Sequence, residues 1–141
     1  MSKLSADTLP PFRASHVSSL LRPAELKAAR AQRERGEITA EQLRSAEDDA
    51  IRKLIQKQEE TGLKGITDGE FRRAYWHFDF LEALDGIEAY EAPQGIQFQG
   101  GQSKPKGLKV TGKLGFSSHP MVEHFSFVKN NTRETPKVSI L

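Results

Sequence analysis

Cysteine is absent from the 141 residues. Disulfides, thiolate metal sites and thiol nucleophiles made by this chain alone are therefore excluded. The absence is compatible with a cytoplasmic protein, and the cytoplasm is the expected location. Long apolar runs are missing as well. No window approaches the roughly 18 consecutive apolar residues that a membrane helix needs. The opening MSKLSADTLPPF lacks the apolar stretch of a secretion signal. Charge of one sign is scarce: 21 Lys and Arg stand against 19 Asp and Glu, a net +2. The basic residues are spread among acids rather than gathered in a stripe. Neither a nucleic acid nor a membrane is an expected partner. Hydrophobic residues, at 36%, are few for a self-contained core.

What is present is periodicity. Phe12–Ser19 reads as a short strand ending in a polar turn, and Pro23 suits the first turn of a helix that stops at Gly36. Thr39 and Gln42 have the spacing of a capping box. Behind them Leu43, Ala46, Ala50, Ile51, Leu54 and Ile55 share one helical face, which ends at Gly62. A strand over 63–67, a helix over 75–84, a glycine-rich excursion with a hairpin at about 91–116, a helix over 120–128 and a strand over 137–141 follow. Alternation of this kind predicts an α/β fold with parallel βα units. It also predicts open strand edges, through which copies of the chain could form a homo-oligomer.

Three clusters could carry chemistry. Asp68-Gly69-Glu70 follows the strand over 63–67, and the carboxyl ends of strands in β/α folds are where ligands bind. A glutamate there can accept hydrogen bonds from an ammonium group. On spacing alone, solvated carboxylates paired with Arg72 or Arg73 are the commoner outcome. Asp68 and Glu70 as an acid–base pair is a further reading, with no partner residue to support it. The turn at His16-Val17-Ser18-Ser19 offers N–H and hydroxyl groups for a carboxylate, or serines that simply cap a helix. The aromatic run Phe71, Tyr75, Trp76, Phe78 and Phe80 is expected to be core rather than ligand-lining. His119 and His124 are five apart, off a common helical face, and Pro120 favours a helix start between them. A shared metal site is not expected.

These pieces resemble a family in order as well as in kind. Arg13-Ala-Ser-His-Val-Ser-Ser-Leu-Leu-Arg-Pro23, Glu47-Asp48-Asp49-Ala50-Ile51, Gln58-Glu59, Gly62-Leu63 and Asp68-Gly69-Glu70-Phe71-Arg72-Arg73 resemble the opening of the catalytic domain of cobalamin-independent methionine synthases. The match is strong from about residue 12 to 88. The resemblance implies a TIM (β/α)8 barrel, of which this chain would be the N-terminal portion. Residues 1–11 would be a lead-in and 12–141 a partial barrel, since a whole one needs about 200–250 residues.

The resemblance further implies methyl transfer from a methylated folate to the homocysteine sulfur, giving methionine. It implies a zinc ion that stabilises the homocysteine thiolate. Val17, Ser18, Ser19 and Glu70 would hold the amino-acid part of homocysteine. Ser18 stands where the family has glycine, which adds a Cβ against close backbone approach. The family's zinc ligands are a His-x-Cys pair, a glutamate and a second cysteine, all further along the barrel. This chain alone is therefore expected to hold no zinc and to be inactive. The alternative is a short non-catalytic binding or oligomerising protein derived from the family.

Overall fold

The computed structural model describes residues 16, 19–75, 77–93, 97–98, 101–102 and 106–140. They resolve into two compact units. One comprises residues up to Arg72 together with His124–Ser139, and the other is built from Arg73–Glu123.

In the first unit, α1 (Ala24–Glu34) starts behind Pro23, whose backbone is extended at φ −64° and ψ 155°. The helix α2 (Ala40–Glu60) opens on the expected capping box. The Thr39 hydroxyl accepts from Gln42 N–H at 3.2 Å, and the Gln42 side chain accepts from Thr39 N–H at 2.8 Å. Thr61 caps the other end, and Gly62 follows in the left-handed region at φ +83°. The buried face of α2 carries Ile51, Ile55 and Gln58. They pack with Leu26 of α1, Ile66 of strand β1 (Gly65–Ile66), Phe71, and Val128 of α4 (Pro120–Asn131). Burying each such aliphatic side chain contributes about 1.5–3 kcal/mol.

Strand β1 pairs with β6 (Thr135–Pro136), and the pairing is parallel, as alternating strands and helices require. Thr135 N–H donates to Lys64 O at 3.2 Å and Lys137 N–H to Ile66 O at 2.8 Å. Pro136, between them, has no N–H to give. The return into β6 is anchored on α2: Glu59 Oε1 accepts from the Thr132 hydroxyl at 2.6 Å and from Arg133 N–H at 2.9 Å. That anchor starts the ladder at Thr135, earlier than the strand read over 137–141. Lys137–Ile140 carry no regular structure. The expected strand over 12–19 lies outside the described residues except for His16 and Ser19, which are irregular.

The second unit differs more from expectation. The helix read over 75–84 shrinks to α3 (Phe78–Leu81). Asp79 explains the loss: its carboxylate accepts from Ala74 N–H at 2.6 Å and Tyr75 N–H at 3.0 Å, folding that stretch into a turn. The hairpin is real but larger than its predicted strands. Strand β2 (Asp85–Glu91) pairs antiparallel with β5 (Lys106–Gly115), with a bulge between Asp85 and Ile87. The short strands β3 (Gln97–Phe98) and β4 (Gly101–Gln102) pair within the excursion. Gly107 leaves room for the Tyr90 ring opposite it, since a Cβ there would come within 2.5 Å of Tyr90 Cζ.

Among the described residues, no helix is long and apolar enough to cross a membrane. The capping box gives a direct test of α2. Thr39→Ala should lower the unfolding free energy by about 1 kcal/mol, read from urea denaturation followed by helical circular dichroism.

Candidate functional site

The candidate site lies where β1 ends. Backbone groups of successive residues in a strand point to opposite sides. Lys64 and Ile66 offer theirs to β6, so Thr67 faces the other way. Gln58 of α2 meets it there. The Gln58 amide donates to Thr67 O at 2.8 Å and accepts from Thr67 N–H at 3.1 Å. Gln58 is 4% exposed and Thr67 fully buried. A second bond from the same amide reaches Leu54 O at 3.3 Å.

Beyond Thr67 the chain turns sharply. Gly69 and Glu70 are both left-handed, at φ +66° and +58°. For glutamate this conformation costs on the order of 1–3 kcal/mol, so its surroundings must impose it. The Thr67 hydroxyl accepts from Gly69 N–H at 3.0 Å, and Asp68 Oδ1 accepts from Glu70 N–H at 2.9 Å. Arg22 grips the far side, donating from Nη2 to Glu70 O at 2.7 Å and from Nε to Phe71 O at 3.4 Å. A Cβ on Gly69 would lie 2.6 Å from Leu54 Cδ2 and 2.9 Å from Phe71 Cε1. The turn thus needs glycine for space as well as for φ.

Asp68 and Glu70 are both buried, not solvated. Arg72 is not their counter-ion: it pairs with Glu47 at 3.4 Å and Asp48 at 2.5 Å, under the Phe127 ring. Asp68, by accepting the Glu70 N–H, braces the turn. Of the residues singled out in the sequence, Ser19 is described and exposed, while Val17 and Ser18 lie outside the described residues. Leu20 N–H donates to Gly69 O at 3.1 Å. This brings the segment after the first turn against the Glu70 turn. Arg22, Arg30, Gln58 and Glu47 were not foreseen. Arg22, Glu47 and Gln58 stand inside the matched segments, which was the one signal for them, and Arg30 lies outside those segments.

An apolar groove of about 530 Å³ runs along α1 and α2, past Leu26, Ala50, Leu54 and Phe71, and takes in neither Asp68 nor Glu70. The aromatic run does not form one core. Phe71 belongs to the core of the first unit, Trp76 lies outside the described residues, and Tyr75, Phe78 and Phe80 are half-buried. In the second unit His119 precedes α4 and caps it. Its Nδ1 accepts from Met121 N–H at 3.2 Å, which leaves Nε2 as the N–H that donates to Phe80 O at 3.0 Å. Both ring nitrogens are thereby used by main chain. Among the described residues no group of three or more His, Asp or Glu is placed to hold a metal ion.

Glu47 sits under this site, with Arg30 at 3.0 Å bridging it to Phe71 O. Burial pushes its carboxyl above the ordinary value, against the pull of Arg30 and Arg72. The folded state therefore holds this proton at pH values where the unfolded chain has released it. Stability from this residue falls as pH rises from the ordinary carboxyl range through the raised value. Glu59 runs the other way: the Thr132 hydroxyl and Arg133 N–H lower its pKa, and its contribution is lost as pH falls. Comparison with Glu47→Gln isolates the first effect. The stability advantage of the native chain over Glu47→Gln should shrink as pH rises through that window, in urea melts taken at each pH. A growing advantage would mean that the arginines outweigh burial.

Residues 13–115 match the model of the cobalamin-independent synthase catalytic domain. The chain is 56% identical over 132 residues to YxjG of Bacillus subtilis, an uncharacterised protein, covering 93% of this chain and 35% of that one. It is 35% identical over 79 residues to the 5-methyltetrahydropteroyltriglutamate–homocysteine methyltransferase of Thermotoga petrophila, covering 56% of this chain and 11% of that one. The crystal structure of a candidate vitamin-B12 independent methionine synthase from Listeria monocytogenes superimposes with a TM-score of 0.70 at 44% identity, over 89% of this chain and 34% of that one. The chain spans about a third of the length of YxjG and of the Listeria protein. With the match running through both the Leu20–Pro23 segment and the Glu70 turn, the chain belongs to the cobalamin-independent methionine synthase family, within its catalytic domain.

Proposed function

We propose that this chain supplies the amino-acid-binding corner of a methyltransferase that moves a methyl group from a methylated folate to the homocysteine sulfur. In this reading residues 12–141 are the first part of a TIM barrel, preceded by a lead-in at 1–11. The observation that carries it is Glu70: a buried glutamate, forced into a left-handed backbone, at the carboxyl end of a parallel strand. A fold that bears this strain places the carboxylate for a purpose. Glu70 would accept N–H bonds from the substrate ammonium, its negative charge favouring that cation. Val17, Ser18 and Ser19 would hold the substrate carboxylate through their turn. The Leu20–Gly69 bond supports the two acting on one ligand.

The zinc that this family implies does not fit the residues of this chain. It contains no cysteine for a thiolate set, and His119 spends both ring nitrogens on main chain. The metal and the activation of the thiol would come from the parts of the longer relatives that this chain does not span. A zinc titration of the 141-residue protein should therefore show no tight binding, and a tight site would overturn this division of labour.

The amino-acid reading has its own test. L-homocysteine is titrated against the chain while the amide resonances of Ser19, Leu20, Gly69 and Glu70 are followed. Glu70→Gln should weaken homocysteine about 10-fold or more, the cost of losing a charge-assisted bond. It should leave 4-mercaptobutanoate, which lacks the amino group, unaffected. Equal weakening of both compounds would sink the role of Glu70.

A further inference from the structure

We propose that Gln58 is a positioning residue for Glu70: it acts as a surrogate strand neighbour that ends β1 at Thr67 and sets where the ligand-binding turn begins. The inference rests on the reading of Glu70 as an ammonium acceptor given above. One primary amide carries a donor and an acceptor side by side. Gln58 directs both at a single residue, Thr67, on the side turned away from β6. A neighbouring strand would supply the same two bonds, but it would also continue along β1. The side chain satisfies Thr67 and then stops, so the next residue is free to leave the strand direction.

The clamp is transmitted in two steps. The Thr67 hydroxyl fixes Gly69 N–H at 3.0 Å, and Glu70 follows at φ +58°. Gln58 itself cannot drift, because it shares the buried face of α2 with Ile51 and Ile55, both at most 2% exposed. The position of Glu70 is therefore referred to the helix α2 rather than to the two-residue ladder between β1 and β6.

The test uses the ratio of the dissociation constant of 4-mercaptobutanoate to that of L-homocysteine, measured by the same amide titration on the 141-residue chain. The native chain should favour homocysteine, and Glu70→Gln should bring the ratio near one. Gln58→Met keeps the length of the side chain and removes both bonds to Thr67. It should cut the ratio several-fold while leaving the affinity for 4-mercaptobutanoate in place, because the carboxylate turn at Ser19 is untouched. A purely structural glutamine would weaken both compounds together or neither. Gln58→Glu, which keeps the acceptor for Thr67 N–H and loses the donor to Thr67 O, serves if the methionine variant fails to fold, with an intermediate ratio expected. A native ratio in the folded variant overturns the proposal. Loss of preference in Glu70→Gln with full preference in the Gln58 variant overturns this inference alone, whereas no preference in the native chain removes the Glu70 reading itself.

Discussion

A two-residue strand pair cannot hold itself in place; it makes too few bonds and buries too little. The buried face of α2 supplies what β1 lacks. Ile51 and Ile55 pack in one core with Ile66, and one turn further on Gln58 replaces apolar contact with two hydrogen bonds to Thr67. The same helix receives the chain again at Glu59, where Thr132 and Arg133 are tied before β6 begins. Both strands of the parallel pair are thus positioned from α2. The ladder between them records an alignment that the helix has already made.

The charges near the turn follow a different logic. Arg22 and Arg30 spend donors on the carbonyls of Glu70 and Phe71, which the turn leaves without partners in a helix or sheet. Glu47 then balances Arg30 and Arg72 in a place where burial works against its charge. The arginines serve the backbone, and the glutamate serves the arginines. Removing one member of such a buried set leaves the others uncompensated, which costs more than the set contributes when intact.

Local rules made α2 legible in the sequence. Thr39, Gln42 and Gly62 signal its ends through bonds within a few residues, and the apolar stripe signals its face. A parallel pairing was legible from alternation, but the partner of β1 is Thr135–Pro136 and not the strand read over 137–141. Asp79 was not: a single carboxylate captured two N–H groups that a helix would have used, which no periodicity reveals. The burial of Asp68 and Glu70 was also hidden. Charged residues beside a glycine read as solvated, and the groups that hold their turn, Arg22 on Glu70 O and Gln58 on Thr67, come from outside the motif. The family motif located the turn, while its construction required the tertiary contacts.

Pro136 has a consequence for assembly. Thr135 and Lys137 direct their N–H groups to β1, so the proline nitrogen faces the outer side of β6. A donor is missing there at the last residue of the strand. Another chain aligning itself on that side would meet a break in the ladder where it most needs a bond, and promiscuous sheet growth from this edge is penalised. A neighbour that belongs there must bring side-chain packing to compensate. The proline acts as a gatekeeper, admitting a strand that fits and discouraging one that merely pairs.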